Sequence, residues 1–148
     1  MRLAFAAATD IGLVRKNNED CYVADGELSL FAVVDGIGGH AFGEVAASAV
    51  AGDLTAFIRE TAESSDHTWP YGLDPSLSGL ANRLQVAIRT ANRRLAARVR
   101  DDASLDGIGA TLVAALAHEG HVAITDLTPA ATTLIACCSR ASSGTSWI

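Results

Sequence analysis

The stretch FAVVDGIGGHAFGE, residues 31–44, constrains the fold more than any other part of the chain. Phe31 to Val34 are apolar and lead straight into Asp35, after which Gly36, Gly38, Gly39 and Gly43 crowd around His40 and close on Glu44. A nearly continuous apolar run reads as a strand covered on both faces. A carboxylate at the end of such a strand needs a partner, because burying an unpaired charge is costly. Glycine after Asp35 lets the backbone approach closely, so the Gly36 carbonyl can serve as an oxygen ligand. Whatever else the chain does, it must end this strand on a polar site.

The residues just upstream supply more of that site. Cys21 to Ala24 read as a strand, Asp25-Gly26 is a hairpin turn signal, and Leu28 to Val34 return as the next strand. Glu19-Asp20 and Asp35-Gly36 then lie at strand ends that a hairpin can bring together. Clustered carboxylates repel, and a proton, an arginine or a metal must offset the cost. Hard oxygen ligands select Mg²⁺ or Mn²⁺ over zinc. Arg15, four residues before Glu19, can grip a phosphate through two parallel hydrogen bonds. Two metals, a shared carboxylate and an arginine describe a phosphoryl-hydrolysis site.

The remaining pattern is strands, two long helices, then strands. Residues 2–9 alternate as a first strand, followed by a polar loop. Ala46, Val50, Leu54, Phe57 and Ile58 mark one face of a helix that starts at Gly43, with Glu44 in its first turn. Residues 63–76 read as a loop by their Pro, Gly, Ser and Asp content. Ser76 or Ser78 caps a second helix, in which Leu80, Leu84, Ala87, Ile88, Ala91, Leu95 and Val99 hold a 3.6 period to about Arg100. Most of its arginines fall off that stripe and read as a solvated face, or as a docking patch for acidic partners. Ala110 to Ala117 form a strand, His118-Glu119-Gly120 turn it, and His121 to Thr125 run back. Beyond Thr125 the chain is rich in Ala, Thr and Ser, with a weaker strand at Thr132 to Cys138.

Composition narrows the function. With 148 residues, 49 % of them apolar, the chain is expected to build one core. A net charge of -6 and a pI near 5.0 exclude a nucleic-acid binder that relies on a basic face. Cys21, Cys137 and Cys138 offer neither a CxxC zinc pair nor a disulfide framework, which points to a reducing cytoplasmic compartment. No apolar run approaches the roughly 18 residues of a membrane span. Leu3 to Ala8 is short for a signal peptide and suits a first strand.

TDIGLVRKNNEDCY (9–22) and VVDGIGGHAFGEVAASAV (33–50) resemble the first two motifs of the metal-dependent serine/threonine protein phosphatases, the PPM or type 2C class in its bacterial form. GIGATLVAAL (107–116) is similar to the segment after that family's second helix. The resemblance covers residues 3 to about 125. It implies an α+β fold, an antiparallel β-sandwich flanked by two long antiparallel helices, with its C-terminal strands missing here. It implies that Asp35 bridges two Mn²⁺ or Mg²⁺ ions and that the Gly36 carbonyl binds one. Glu19 would ligate the other, with Asp20 nearby through water, while Arg15 holds the phosphate. A metal-bridging water would hydrolyse phosphoserine or phosphothreonine in a protein substrate of a serine/threonine kinase. Where some relatives carry a histidine directly after the Asp-Gly pair, this chain has Ile37.

The family's later Gly-Asp-Ser-Arg segment and its late metal-ligand aspartates find no match in this sequence. Residues 1–125 are therefore expected to be the N-terminal part of a phosphatase domain, and 126–148 a divergent tail. The alternative function is an inactive fragment or binding module. Simpler roles account for several other residues. Asp10 suits a turn, His40 a backbone hydrogen bond, and His67, His118 and His121 loops or strand edges. Cys21 suits the core.

Overall fold

The structure, a computed structural model, describes residues 3–38, 42–63, 69–128 and 131–139. The expected hairpin forms with longer strands: β1 (Asp20–Asp25) and β2 (Leu30–Ile37) pair from Asp20↔Asp35 to Asp25↔Leu30. The turn between them differs from the tight Asp-Gly turn that the sequence suggests. The Asp25 Oδ1 accepts from the amides of Glu27 at 3.0 Å and Leu28 at 2.9 Å, and the left-handed residue is Ser29 with φ 52°. The aspartate side chain thus closes the turn itself, so the glycine does not set its type.

β3 (Gly109–His118), β4 (His121–Thr128) and β5 (Ala131–Ser139) complete one antiparallel sheet in the order β1-β2-β3-β4-β5. Glu119 and Gly120, with φ 47° and 81°, join β3 to β4 as a two-residue turn whose positive φ values match strand twist. β5 contains the weaker strand expected at Thr132 to Cys138.

Both helices pack on the same face of the sheet. α1 (Phe42–Glu63) lies mainly over β1 and β2, and α2 (Gly79–Asp101) over β3, β4 and β5. Their apolar stripes meet Leu30, Ala32, Val34, Leu112, Ala114 and Leu116, the alternate residues that β2 and β3 turn inward. Ser78 is the cap of α2, its Oγ accepting from the Ala81 amide at 3.2 Å. Asn82, buried, holds the incoming loop: its Nδ2 donates to the carbonyls of Asp74, Leu77 and Ser78, and its Oδ1 accepts from the Asp74 amide at 2.7 Å. Every strong hydrogen-bonding group of that amide is therefore used.

Two expectations are corrected. β2 is not covered on both faces, since Val33 is 64 % exposed and its cross-strand partner Val113 51 %. Nor do residues 3–9 form a strand. A strand needs a ladder of hydrogen bonds to a neighbour, and the sheet order gives these residues none. They lie instead against the open face, with the Phe5 and Phe31 ring centroids 4.9 Å apart and a hollow of about 350 Å³ between Ala6, Ala7, Val33 and Val113. The described residues hold one sheet and its helix layer; a second sheet is not among them.

The arginines of α2 are also not uniformly solvated. Arg94 and Arg98 reach Asp53 of α1 at 3.2 and 2.9 Å, tying the two helices together over a carboxylate that is 9 % exposed. One residue earlier, Gly52 is exposed in mid-helix, and a Cβ there would meet nothing within 4 Å. Gly52→Ala is expected to stabilise the protein by about 0.5–1 kcal/mol by restricting the unfolded chain. A higher denaturant midpoint at unchanged m-value would confirm it.

Candidate metal and phosphate site

The β1–β2 register places Asp20 directly opposite Asp35. Directly opposed side chains stand about 5 Å apart at Cβ, so the two carboxylates repel unless something cationic lies between them. Both are exposed, and both sit on the open face of the sheet beside Tyr22, Val33 and Ile37. Beyond the ladder the chains remain joined, because the Gly36 amide donates to the Glu19 carbonyl at 3.0 Å. Glu19, Asp20, Asp35 and Gly36 are thus brought to one end of the hairpin, as the sequence suggests.

The start of α1 closes that end. A Cβ on Gly36 would overlap the Gly43 carbonyl, and one on Gly38 would come within 3.0 Å of the Gly43 amide and 3.4 Å of the Ile108 side chain. Gly43 in turn seats Glu19, since a Cβ there would lie 2.7 Å from Glu19 Oε2. The half-buried Glu19 carboxylate therefore rests at a helix N-terminus, where the dipole favours an anion. Ile108 reaches this junction from a turn that Asp102 fixes. The Ser104 hydroxyl and amide donate to Asp102 at 2.7 and 2.9 Å and hold its carboxyl below its ordinary value.

Arg15 is exposed in the loop before Glu19 and makes no ion pair among the described residues. Asp10 does act in a turn, its Oδ1 accepting from the Gly12 amide at 2.8 Å. His118 and His121 are exposed at the β3–β4 turn, and Cys21 packs partly buried against the core. His40 and His67 lie outside the described residues.

Sequence reasoning passed over two features. Gly43 reads there as one glycine among several, and its role as the seat of Glu19 depends on how α1 enters. Asp126 lies opposite Val113, on the same open face as Asp35, and its Oδ1 is buried without a hydrogen-bond partner among the described residues. Strand alternation from Ile124 was the available signal.

The donors at the hairpin end are all hard oxygens, so the residues there fit Mg²⁺ or Mn²⁺; Asp126, two strands away and level with Val33, is not one of them. Among the described residues no three His, Cys, Asp or Glu side chains converge closely enough to hold an ion unaided, so water would supply part of the coordination. A larger hollow, about 830 Å³, lies elsewhere, between edge strand β1 and α1. It is an open trough lined largely by small residues, so the chemistry belongs with the carboxylates.

Comparison with known proteins identifies the family. The family described as Protein phosphatase 2C matches residues 15–137. The chain is similar to the serine/threonine protein phosphatase PstP of Mycobacterium tuberculosis, 39 % identical over 114 residues that make up 77 % of this chain and 19 % of that protein. It is 29 % identical over 127 residues to the serine/threonine phosphatase stp of Listeria innocua, covering 80 % of this chain and 44 % of that protein. A crystal structure of the PstP catalytic domain in complex with two manganese ions superposes with a TM-score of 0.65 at 32 % identity, over 88 % of this chain and 54 % of that one. The chain thus spans about half the length of that solved domain and less of the curated relatives. With Arg15, Glu19, Asp20 and the whole of the 33–50 motif inside the matched residues and the same α+β topology around them, the chain belongs to the protein phosphatase 2C family.

Proposed function

We propose that this chain hydrolyses phosphoserine and phosphothreonine in cytoplasmic proteins, using Mn²⁺ or Mg²⁺ held at the end of the β1–β2 hairpin. One observation carries the reading: Asp35 stands opposite Asp20 while the Gly36 amide is bonded to the Glu19 carbonyl. Asp35, the Gly36 carbonyl, Glu19 and Asp20 would hold the ions. Such an ion, when bound, supplies Lewis-acid polarisation and a water of lowered pKa. Arg15 would orient the phosphate by a bidentate pair of hydrogen bonds, and its exposure leaves it available to do so. The substrate class is a phosphoprotein made by a serine/threonine kinase. In this reading residues 1–125 are the N-terminal part of a phosphatase domain and 126–148 its divergent tail, while the family match itself continues to residue 137.

The test is hydrolysis of a phosphothreonine peptide by the purified chain with millimolar Mn²⁺ and with EDTA. Turnover should require the metal. Arg15→Ala should lower kcat/KM about 10–100-fold, the loss of a charge-assisted pair worth about 1.5–3 kcal/mol. A second reading, a phosphoprotein-binding module without turnover, is favoured by the absence of three converging ligands among the described residues. Phosphopeptide binding by a folded chain that shows no metal-dependent release of phosphate would decide for it.

A further inference from the structure

A groove of about 310 Å³ runs between the C-terminal half of α2 and the start of β3, lined by Leu95, Ala96, Val99, Ile108 and Gly109. Arg89, Arg93 and Arg100, all exposed and none of them lining the groove itself, fall by helical spacing on the side of α2 that carries Ala96. At helical spacing they form one row about 16 Å long, with Ala96 between them. Arg94 and Arg98 turn the other way, to Asp53. Among the described residues Arg93 and Arg100 make no ion pair. The Ser76 hydroxyl and amide hold the Asp74 carboxyl below its ordinary value, and the charge of Arg89 adds to this from a longer distance. Asp101, a third of a turn from Arg100, falls on the Arg94–Arg98 flank. A chain of net charge -6 therefore keeps three guanidinium groups in line beside an apolar floor. Like charges at i, i+4, as in Arg89 and Arg93, cost helix stability that an anionic partner offsets.

We propose that this groove docks the acidic flank of a phosphoprotein substrate, with an apolar residue against Ala96 and Val99 and carboxylates along the arginine row. The proposal rests on the phosphatase reading above. Its floor leads to the chemistry: Gly109 pairs with Ile37, and Thr111, roughly 7 Å further along β3, pairs with Asp35. A peptide that leaves the groove at Ile108 and rounds the end of the sheet reaches the carboxylates within a few residues.

The first probe is a short peptide of one leucine and several glutamates, without phosphate, followed by fluorescence anisotropy at low salt. The wild-type chain and Asp35→Asn should bind it equally. The double variant Arg93→Glu/Arg100→Glu should bind about 5–10-fold more weakly, and the difference should shrink as salt is added. Ala96→Glu, a second exposed position in the same row, should weaken binding on its own. In hydrolysis, the double variant should raise KM for a phosphothreonine peptide with an acidic flank and leave KM for one with a neutral flank unchanged. Equal binding by all variants, or equal binding of a peptide with glutamine in place of glutamate, overturns the proposal. So does a wild-type dimer in sedimentation that the double variant dissociates, since a second copy would then fill the groove. Charge-dependent binding without any hydrolysis would support the groove and remove the phosphatase reading alone.

Discussion

Gly36→Ala is expected to destabilise the protein by about 3 kcal/mol and to abolish metal-dependent turnover in the same step. The added methyl would overlap the Gly43 carbonyl and lie 2.8 Å from the Glu19 carbonyl. Both obstacles are backbone, so neither can rotate aside. Relief requires moving α1 away from the hairpin, which breaks the Gly36 amide bond to Glu19 and opens the core beneath Ala46 and Ala47. Gly43→Ala separates the two effects. The nearest atoms its methyl would meet belong to the Glu19 side chain, at 2.7 Å from Oε2 and 3.1 Å from Cβ, and the carboxylate can swing out. Stability should then change little, while Mn²⁺ affinity falls about 10–100-fold as a ligand leaves its seat. Denaturant unfolding and calorimetric titration of Mn²⁺ measure the two quantities independently. A Gly36→Ala protein as stable as wild type would show that the hairpin and α1 are not in this close contact.

These glycines mark the boundary of what could be read from the chain. The two helices were legible because a 3.6 period sustained over five to seven apolar residues fits a helix and cannot be matched by the two-residue period of a strand. The convergence of Glu19-Asp20 with Asp35-Gly36 was legible because a hairpin is local, but the register of Asp20 opposite Asp35 was not, since a tight Asp25-Gly26 turn would have set Asp20 against Phe31. The open face of β2 was not. Val33 and Val34 are the same residue type, and only the placement of both helices on one side of the sheet makes one buried and the other exposed. The seat of Glu19 against Gly43 depends on the angle at which α1 enters, and the place of Asp126 on the β3–β4 register. The division of the α2 arginines into a pair that clamps Asp53 and a row on the side that carries Ala96 needs the position of α1. In each case a non-local contact assigns different roles to residues that look alike in sequence.

Asp35→Asn should reverse the sign of its effect on stability when metal is added. Without metal, Asp20 and Asp35 oppose each other across the β1–β2 ladder as like charges, an arrangement that disfavours the sheet. Asparagine keeps the shape and removes the repulsion, so the metal-free variant should melt about 1–2 °C above wild type. With Mn²⁺ at ten times its dissociation constant, the wild-type chain should gain about 1.4 kcal/mol, which corresponds to about 3–6 °C for a chain of this size. The variant should gain almost nothing, because the carboxylate that would hold the ion is gone, and turnover should fall at least about 100-fold. Calorimetric melting of both proteins with EDTA and with Mn²⁺ reads the crossing directly and does not depend on activity. Parallel shifts of the two proteins on adding Mn²⁺ would remove Asp35 from the metal site. A wild-type chain that gains stability with Mn²⁺ but releases no phosphate would keep Asp35 as a ligand and assign the chain to the binding-module reading. The crossing itself would mean that the hairpin retains an electrostatic cost in the metal-free state, and that this cost is what makes the strand end a receptor for a divalent cation.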